Sequence, residues 1–163
     1  MKKFDIQGIG VALVTPFHKQ GNVDFTSYEK LIEHVINGGV DYLVCMGTTS
    51  EYPTLNNQEI LACLEFAIEV NANRVPIVLG MGGNDTRTLV DHIKKTDFSN
   101  VSAILSVTPY YNKPSQKGLY AHYKAVAEAS SVPVILYNVP GRTGVNITAE
   151  TCLQLANDFP NII

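Results

Sequence analysis

Apolar runs recur along this chain about every thirty residues, beginning at Ile9, Tyr42, Val75, Val101 and Val132. Each is short, leads into a polar or glycine-bearing loop, and gives way to a stretch with the spacing of an amphipathic helix. Strands separated by single helices make the βα repeat of an all-parallel sheet. Val75-Pro76-Ile77-Val78-Leu79 and Val132-Pro133-Val134-Ile135-Leu136 read as counterparts, each with proline at the strand entrance, where a missing N–H is tolerated.

The intervening helices carry their own start signals. Asp24 is the expected N-cap of the first, whose apolar face is Phe25, Tyr28, Leu31, Ile32, Val35 and Ile36. Gly38 and Gly39 are expected to end it in left-handed geometry. Asn56 with Glu59 forms a capping-box pattern ahead of Leu61, Leu64 and Ile68. Asn84 or Asp85 opens the third helix, with Leu89, Val90 and Ile93 inward. Ser115 opens the fourth, with Leu119, Tyr123 and Val126. Thr148 opens the fifth, with Cys152, Leu155 and Ala156.

Two architectures fit five βα units. A doubly wound sheet would be complete at this length and would place strand one between strands two and three. A (β/α)8 barrel typically needs about 250 residues, and its strands follow one another in chain order. Asn161-Ile162-Ile163 begins apolar about thirty residues after Val132, where a sixth strand is due. The expectation is therefore an α/β fold, a (β/α)8 TIM barrel truncated to five βα units plus the start of strand six. Residues 1–163 would be the N-terminal part of one barrel domain.

A net charge of −3 argues against nucleic acid as the main partner, since phosphate binding needs a basic face. No apolar run approaches the roughly 20 residues that span a bilayer, and Met1-Lys2-Lys3-Phe4-Asp5 lacks the apolar region of a secretory leader. Cys45, Cys63 and Cys152 show no C-x-x-C spacing and read as buried thiols of a reducing, cytoplasmic compartment. His18, His34, His92 and His122 are scattered, as surface or helix-face residues would be, and offer no convergent metal ligands.

Ligands of parallel α/β proteins bind at the carboxyl ends of strands. Thr15-Pro16-Phe17 follows strand one, and Gly47-Thr48-Thr49-Ser50-Glu51 follows strand two. Gly80-Met81-Gly82-Gly83-Asn84-Asp85, Thr108-Pro109-Tyr110-Tyr111-Asn112 and Tyr137 through Gly144 follow the other three. Hydroxyls and glycines dominate this rim, which suits recognition of carboxylates and carbonyls. Each piece has a plain alternative. The Thr48-Thr49 segment could be an ordinary turn. The glycines at 80–83 lack phosphate-loop spacing and suit close backbone packing. Tyr110-Tyr111 could be an interface pair. Arg142, between glycines at a strand end, is well placed for a substrate carboxylate.

Taken in order, Val14-Thr15-Pro16-Phe17, Gly47-Thr48-Thr49-Ser50-Glu51, Thr108-Pro109-Tyr110-Tyr111-Asn112-Lys113-Pro114 and Tyr137-Asn138-Val139-Pro140-Gly141-Arg142-Thr143-Gly144 closely resemble the dihydrodipicolinate synthases, in the pyruvate-dependent class I aldolase superfamily. The resemblance covers the whole chain but only about the first half of the family's length. It implies a barrel with a small C-terminal helical domain, here absent, assembled as a tetramer of tight dimers. It also implies condensation of pyruvate with aspartate semialdehyde on the route to diaminopimelate and lysine. Pyruvate would be held as a Schiff base on a strand-six lysine, about three residues beyond Ile163, with no metal or organic cofactor. By the same resemblance Tyr137, Thr48 and Tyr111 are the catalytic hydroxyl relay, Tyr111 serving a neighbouring subunit, while Thr49 binds the pyruvate carboxylate and Arg142 the semialdehyde carboxylate. Ser50 stands where the family usually has glycine. Three other readings stay open: another pyruvate-dependent aldolase or lyase of the superfamily, a complete five-stranded small-molecule binding module, and a non-catalytic fragment that pairs with another half-barrel.

Overall fold

The structure of the protein is a computed structural model describing residues 6–163; the reading of Met1–Asp5 falls outside the described residues. Five strands, β1 (Gly10–Ala12), β2 (Tyr42–Cys45), β3 (Ile77–Gly80), β4 (Ala103–Val107) and β5 (Val134–Tyr137), follow one another in the order β1-β2-β3-β4-β5. The helices are α1 (Phe25–Asn37), α2 (Asn57–Asn71), α3 (Thr86–Lys95), α4 (Gln116–Ala129), the short α5 (Pro140–Thr143) and α6 (Ala149–Asp158). Four of the strands start one or two residues later than the apolar runs. At β3 and β5 the cause is proline: Pro76 and Pro133 have no N–H to give a ladder. Their carbonyls still accept, from Leu43 N at 3.0 Å and Ile104 N at 2.9 Å. No helix among the described residues is long and apolar enough to cross a membrane.

The chain divides into two compact units, Met1–Gly80 with Asn100–Ser102 and Met81–Ser99 with Ala103–Ile163. In the first, β2 lies between β1 and β3 in parallel register, Val11 opposite Leu43 and Leu43 opposite Ile77. A doubly wound sheet would have β1 in that middle place, so the unit excludes it. Tyr28 and Ile32 of α1 and Cys63 and Ala67 of α2 are buried with Leu43, Cys45 and Ile77 of the sheet. Phe25 and Tyr28 both pack against Phe66, with ring centroids 5.0 and 6.2 Å apart. Burial pushes the Cys45 thiol up to about 12 and raises the Tyr28 phenol, so both groups stay neutral.

The caps match the sequence reading with small corrections. Asp24 accepts from Ser27 N at 3.0 Å, and Asn56 and Glu59 form the full capping box. At the end of α1, Gly38 keeps helical geometry and Gly39 alone is left-handed, at φ 85°. Leu61 is 55% exposed rather than inward, because α2 turns the face of Cys63, Leu64, Ala67 and Asn71 to the core.

In the second unit β4 and β5 pair in parallel from Ile104–Val134 to Val107–Tyr137. Asp85, Ser115 and Thr148 cap α3, α4 and α6 through their side chains. Leu89, Ile93, Leu119, Tyr123, Val126 and Leu155 are buried, and Tyr123 Oη donates to Ser106 O at 2.9 Å. On α6 the inward pair is Thr151 and Leu155, four residues apart on one face. Ala156 is therefore exposed, and Cys152 is half-buried rather than buried. Where a sixth strand was expected, Ile162 forms a parallel bridge with Val134, and Val134 N donates to Asn161 O at 2.7 Å.

Candidate active site

After β2 the chain enters a single 3₁₀ turn, Thr48–Ser50, bracketed by left-handed Met46 and Glu51. Ser50 is fully buried; its Oγ donates to Gly47 O at 2.7 Å, and its carbonyl accepts from buried Thr15 Oγ1 at 2.8 Å. Thr15 and Ser50 thus turn their hydroxyls inward to fix the turn. Thr48 and Thr49 are exposed, and among the described residues their hydroxyls have no protein partner. The end of β3 lies against the start of this turn. A Cβ on Gly80 would sit 2.2 Å from Met46 O and 2.8 Å from Gly47 Cα, so only glycine fits there. Close packing at the rim accounts for Gly80, and also for Gly82, where a Cβ would meet Val107 Cγ1 at 2.6 Å. Gly83 faces open space.

In the second unit Tyr137 is the last residue of β5, half-buried, its carbonyl accepting from Thr108 N at 3.1 Å. The following connection carries Arg142 on α5, which starts at Pro140 and ends at left-handed Gly144. Past Arg142 every second residue of the connection is buried. Thr143, Val145 and Ile147 are buried, and Thr143 Oγ1 donates to Val145 O at 3.0 Å. The Arg142 side chain is exposed and makes no ion pair among the described residues.

Tyr111 lies on the preceding connection, after β4. It is 87% exposed, at φ 71°, and Lys113 is left-handed too, at φ 49°. Left-handed backbone at such residues is strained. The loop is held by Asn112, whose Nδ2 donates to Asn84 O at 2.8 Å.

The structure thus places Thr48 and Thr49 next to each other after β2, and Tyr137 at the end of β5 with Arg142 on the short α5 that follows. Tyr111, on the connection between β4 and α4, is directed to solvent. The sequence reading missed the side chains that pin these loops: Asn112, Asn138, Asn146 and Gln116. Asn112 and Asn138 had one signal, an amide directly after Tyr111 and Tyr137, while Asn146 and Gln116 had none. It also missed His122, which is buried, with Nδ1 2.8 Å from Thr86 Oγ1. Among the described residues no group of three His, Cys, Asp or Glu side chains could hold a metal ion. All seven described lysines, Lys19, Lys30, Lys94, Lys95, Lys113, Lys117 and Lys124, are exposed and lie outside the strands.

Parallel βα units in chain order, with hydroxyls after one strand and an exposed guanidinium after another, have the architecture of a (β/α) barrel of the α/β class. Residues 5–163 match the sequence model of the Dihydrodipicolinate synthetase family. The 4-hydroxy-tetrahydrodipicolinate synthase of Parabacteroides distasonis is 50% identical over 163 residues, all of this chain and 55% of that protein. The enzyme of that name from Flavobacterium psychrophilum is 54% identical over 156 residues, 96% of this chain and 53% of the relative. The chloride-inhibited dihydrodipicolinate synthase of Acinetobacter baumannii, solved with pyruvate, superposes with a TM-score of 0.93 at 48% identity, covering 98% of this chain and 54% of that one. The chain belongs to the dihydrodipicolinate synthetase family. It spans about half the length of the curated relatives it matches.

Proposed function

We propose that the protein condenses pyruvate with aspartate semialdehyde through a lysine Schiff base, giving 4-hydroxy-tetrahydrodipicolinate on the route to diaminopimelate and lysine. The observation that carries this reading is the β5 exit: a half-buried phenol at the strand's last position, then an exposed guanidinium that makes no ion pair among the described residues. Both sit on a chain that matches the family from residue 5 to 163. In this reading Thr49 holds the pyruvate carboxylate. The lysine amine attacks the ketone carbon, and water leaves. Tyr137 passes the protons, with Thr48 and Tyr111 relaying them to solvent. An oriented phenol next to hydroxyls can hand on a proton without titrating freely in bulk water. Arg142 grips the semialdehyde carboxylate in a two-pronged ion pair. The covalent intermediate needs no metal or organic cofactor.

The reading places the amine on a sixth strand beyond Ile163, so the 163-residue chain alone is inactive. A Schiff-base lysine must be desolvated, so that its pKa falls from about 10.4 and it can attack; the described lysines are all in water. Residues 1–163 are then part of one barrel domain of a cytoplasmic homo-oligomer, in which exposed Tyr110 and Tyr111 face a second subunit. Incubation with pyruvate and borohydride, followed by intact mass, tests the reading. The product of the native gene is expected to take up one reduced pyruvate on a strand lysine, and the 163-residue chain none. A stoichiometric adduct on the short chain refutes the mechanism.

A further inference from the structure

The connection that carries Arg142 is closed at its base by amide side chains. Asn138 Nδ2 donates to Asn146 Oδ1 at 2.6 Å, and Asn138 Oδ1 accepts from Ile147 N at 3.3 Å. Gln116, the first residue of α4, meets the same segment from outside. Its Nε2 donates to Asn146 O at 2.8 Å, while its Oε1 accepts from Thr148 N at 3.0 Å and from Thr151 Oγ1 at 2.9 Å. One half-buried glutamine thus joins the start of α4, the return limb of the Arg142 connection and the first turn of α6. In the same connection Thr143, Val145 and Ile147 are buried, and Arg142 N donates to Val139 O at 2.9 Å. The backbone of Arg142 is therefore fixed, while its guanidinium stays free.

We propose that Gln116 is a positioning residue for Arg142. It acts through Asn146 and Thr148, and it sets the affinity for the carboxylate-bearing aldehyde rather than for pyruvate. This rests on the reading of Arg142 as the grip on the semialdehyde carboxylate. A guanidinium binds a carboxylate best when its planar fork is held in register, and a loop tethered at both limbs supplies that register in advance. A merely structural Gln116 would act through α6 instead. That role runs through Thr151, so Thr151→Val removes it while leaving Asn146 and Thr148 held.

The test has two arms. In the product of the native gene, Gln116→Ala is expected to raise KM for aspartate semialdehyde about tenfold, equivalent to about 1.4 kcal/mol, with KM for pyruvate unchanged. Gln116→Glu keeps both acceptor bonds but turns an acceptor-only carboxylate oxygen to Asn146 O, so it should raise KM for the aldehyde at least as far as Gln116→Ala. Thr151→Val should leave both constants in place. Added to Arg142→Gln, Gln116→Ala should raise KM no further. An additive double variant, or an equal rise for pyruvate, overturns the proposal. In the second arm, native-state trypsin cleavage after Arg142 in the 163-residue chain should be about fivefold faster in Gln116→Ala than in wild type or Thr151→Val, because opening of the loop exposes the bond. Unchanged cleavage overturns the proposal on its own. If the wild-type protein does not condense the two substrates, the function reading fails, and the cleavage arm still decides whether Gln116 fixes Arg142.

Discussion

Acidification should loosen this protein through His122 before its carboxylates respond. The ring is 3% exposed, on the inner face of α4, edge-on to Tyr123 at a centroid distance of 5.2 Å. Nδ1 shares a hydrogen with Thr86 Oγ1 at 2.8 Å, and Nε2 is buried with no partner among the described residues. Protonation would put a charge where no carboxylate among the described residues answers it. Burial alone therefore holds the imidazole down at about 4 against its ordinary 6.5. Between those limits the unfolded chain binds a proton that the folded one refuses, so stability rises with pH by about 1.4 kcal/mol per unit. The whole contribution, about 3 kcal/mol, is present above pH 6.5 and is lost as pH falls to about 4. The carboxylates of Asp24, Asp85 and Asp97 are held below their usual range by hydrogen bonds from neighbouring serines and threonines. Their stabilisation is lost only as pH falls from about 4 downward. Urea unfolding of wild type and His122→Leu at half-unit steps from pH 8 to 4.5 isolates the histidine, since the carboxylates cancel in the difference. The expected result is a wild-type advantage at pH 8 that shrinks and then reverses on acidification. A difference that stays flat across the window refutes the argument.

Other substitutions probe the elements that frame the site. Gly80→Ala should destabilise by at least about 2 kcal/mol in urea, because the new Cβ meets the carbonyl of Met46. Asn56→Ala should cost about 1 kcal/mol, read as a lowered Tm, by dismantling the capping box of α2. Tyr123→Phe should cost about 1 kcal/mol, because Ser106 O loses its buried donor. Under native conditions iodoacetamide should alkylate half-buried Cys152 at least about tenfold faster than Cys45, whose thiol is fully buried and pushed up to about 12. Peptide mass mapping over time reads the order.

The parallel βα order was legible in the sequence because period and caps are local properties. Asp24, Asn56, Ser115 and Thr148 act on the backbone within three residues of themselves. Strand starts slipped where proline removes a donor, and Leu61 was misplaced because a helix's apolar stripe does not say which part of it meets the sheet. Within the candidate site, Tyr137 and Arg142 stood out from their place after an apolar strand. Gln116 did not, since its three partners lie some thirty residues away and polar helix starts are common. His122 hid for a related reason: a histidine on an otherwise mixed helix carries no mark of burial until the neighbouring helix is in place.

Pairing between chain neighbours also shapes how the sheet is assembled. Val11 meets Leu43, Leu43 meets Ile77, and Ile104 meets Val134, spans of 32, 34 and 30 residues. Loop-closure entropy grows only as the logarithm of the span, so these steps differ by about 0.1 kcal/mol. At roughly 5–20 residues per second a ribosome needs about two to six seconds to deliver one such span. Hairpin-scale and loop-scale closures take microseconds or less. Each new strand therefore finds its partner already synthesised, and docks long before its successor exists. Vectorial growth of this kind leaves one freshly exposed edge at a time, which limits how long an unpaired strand is open to the wrong partner.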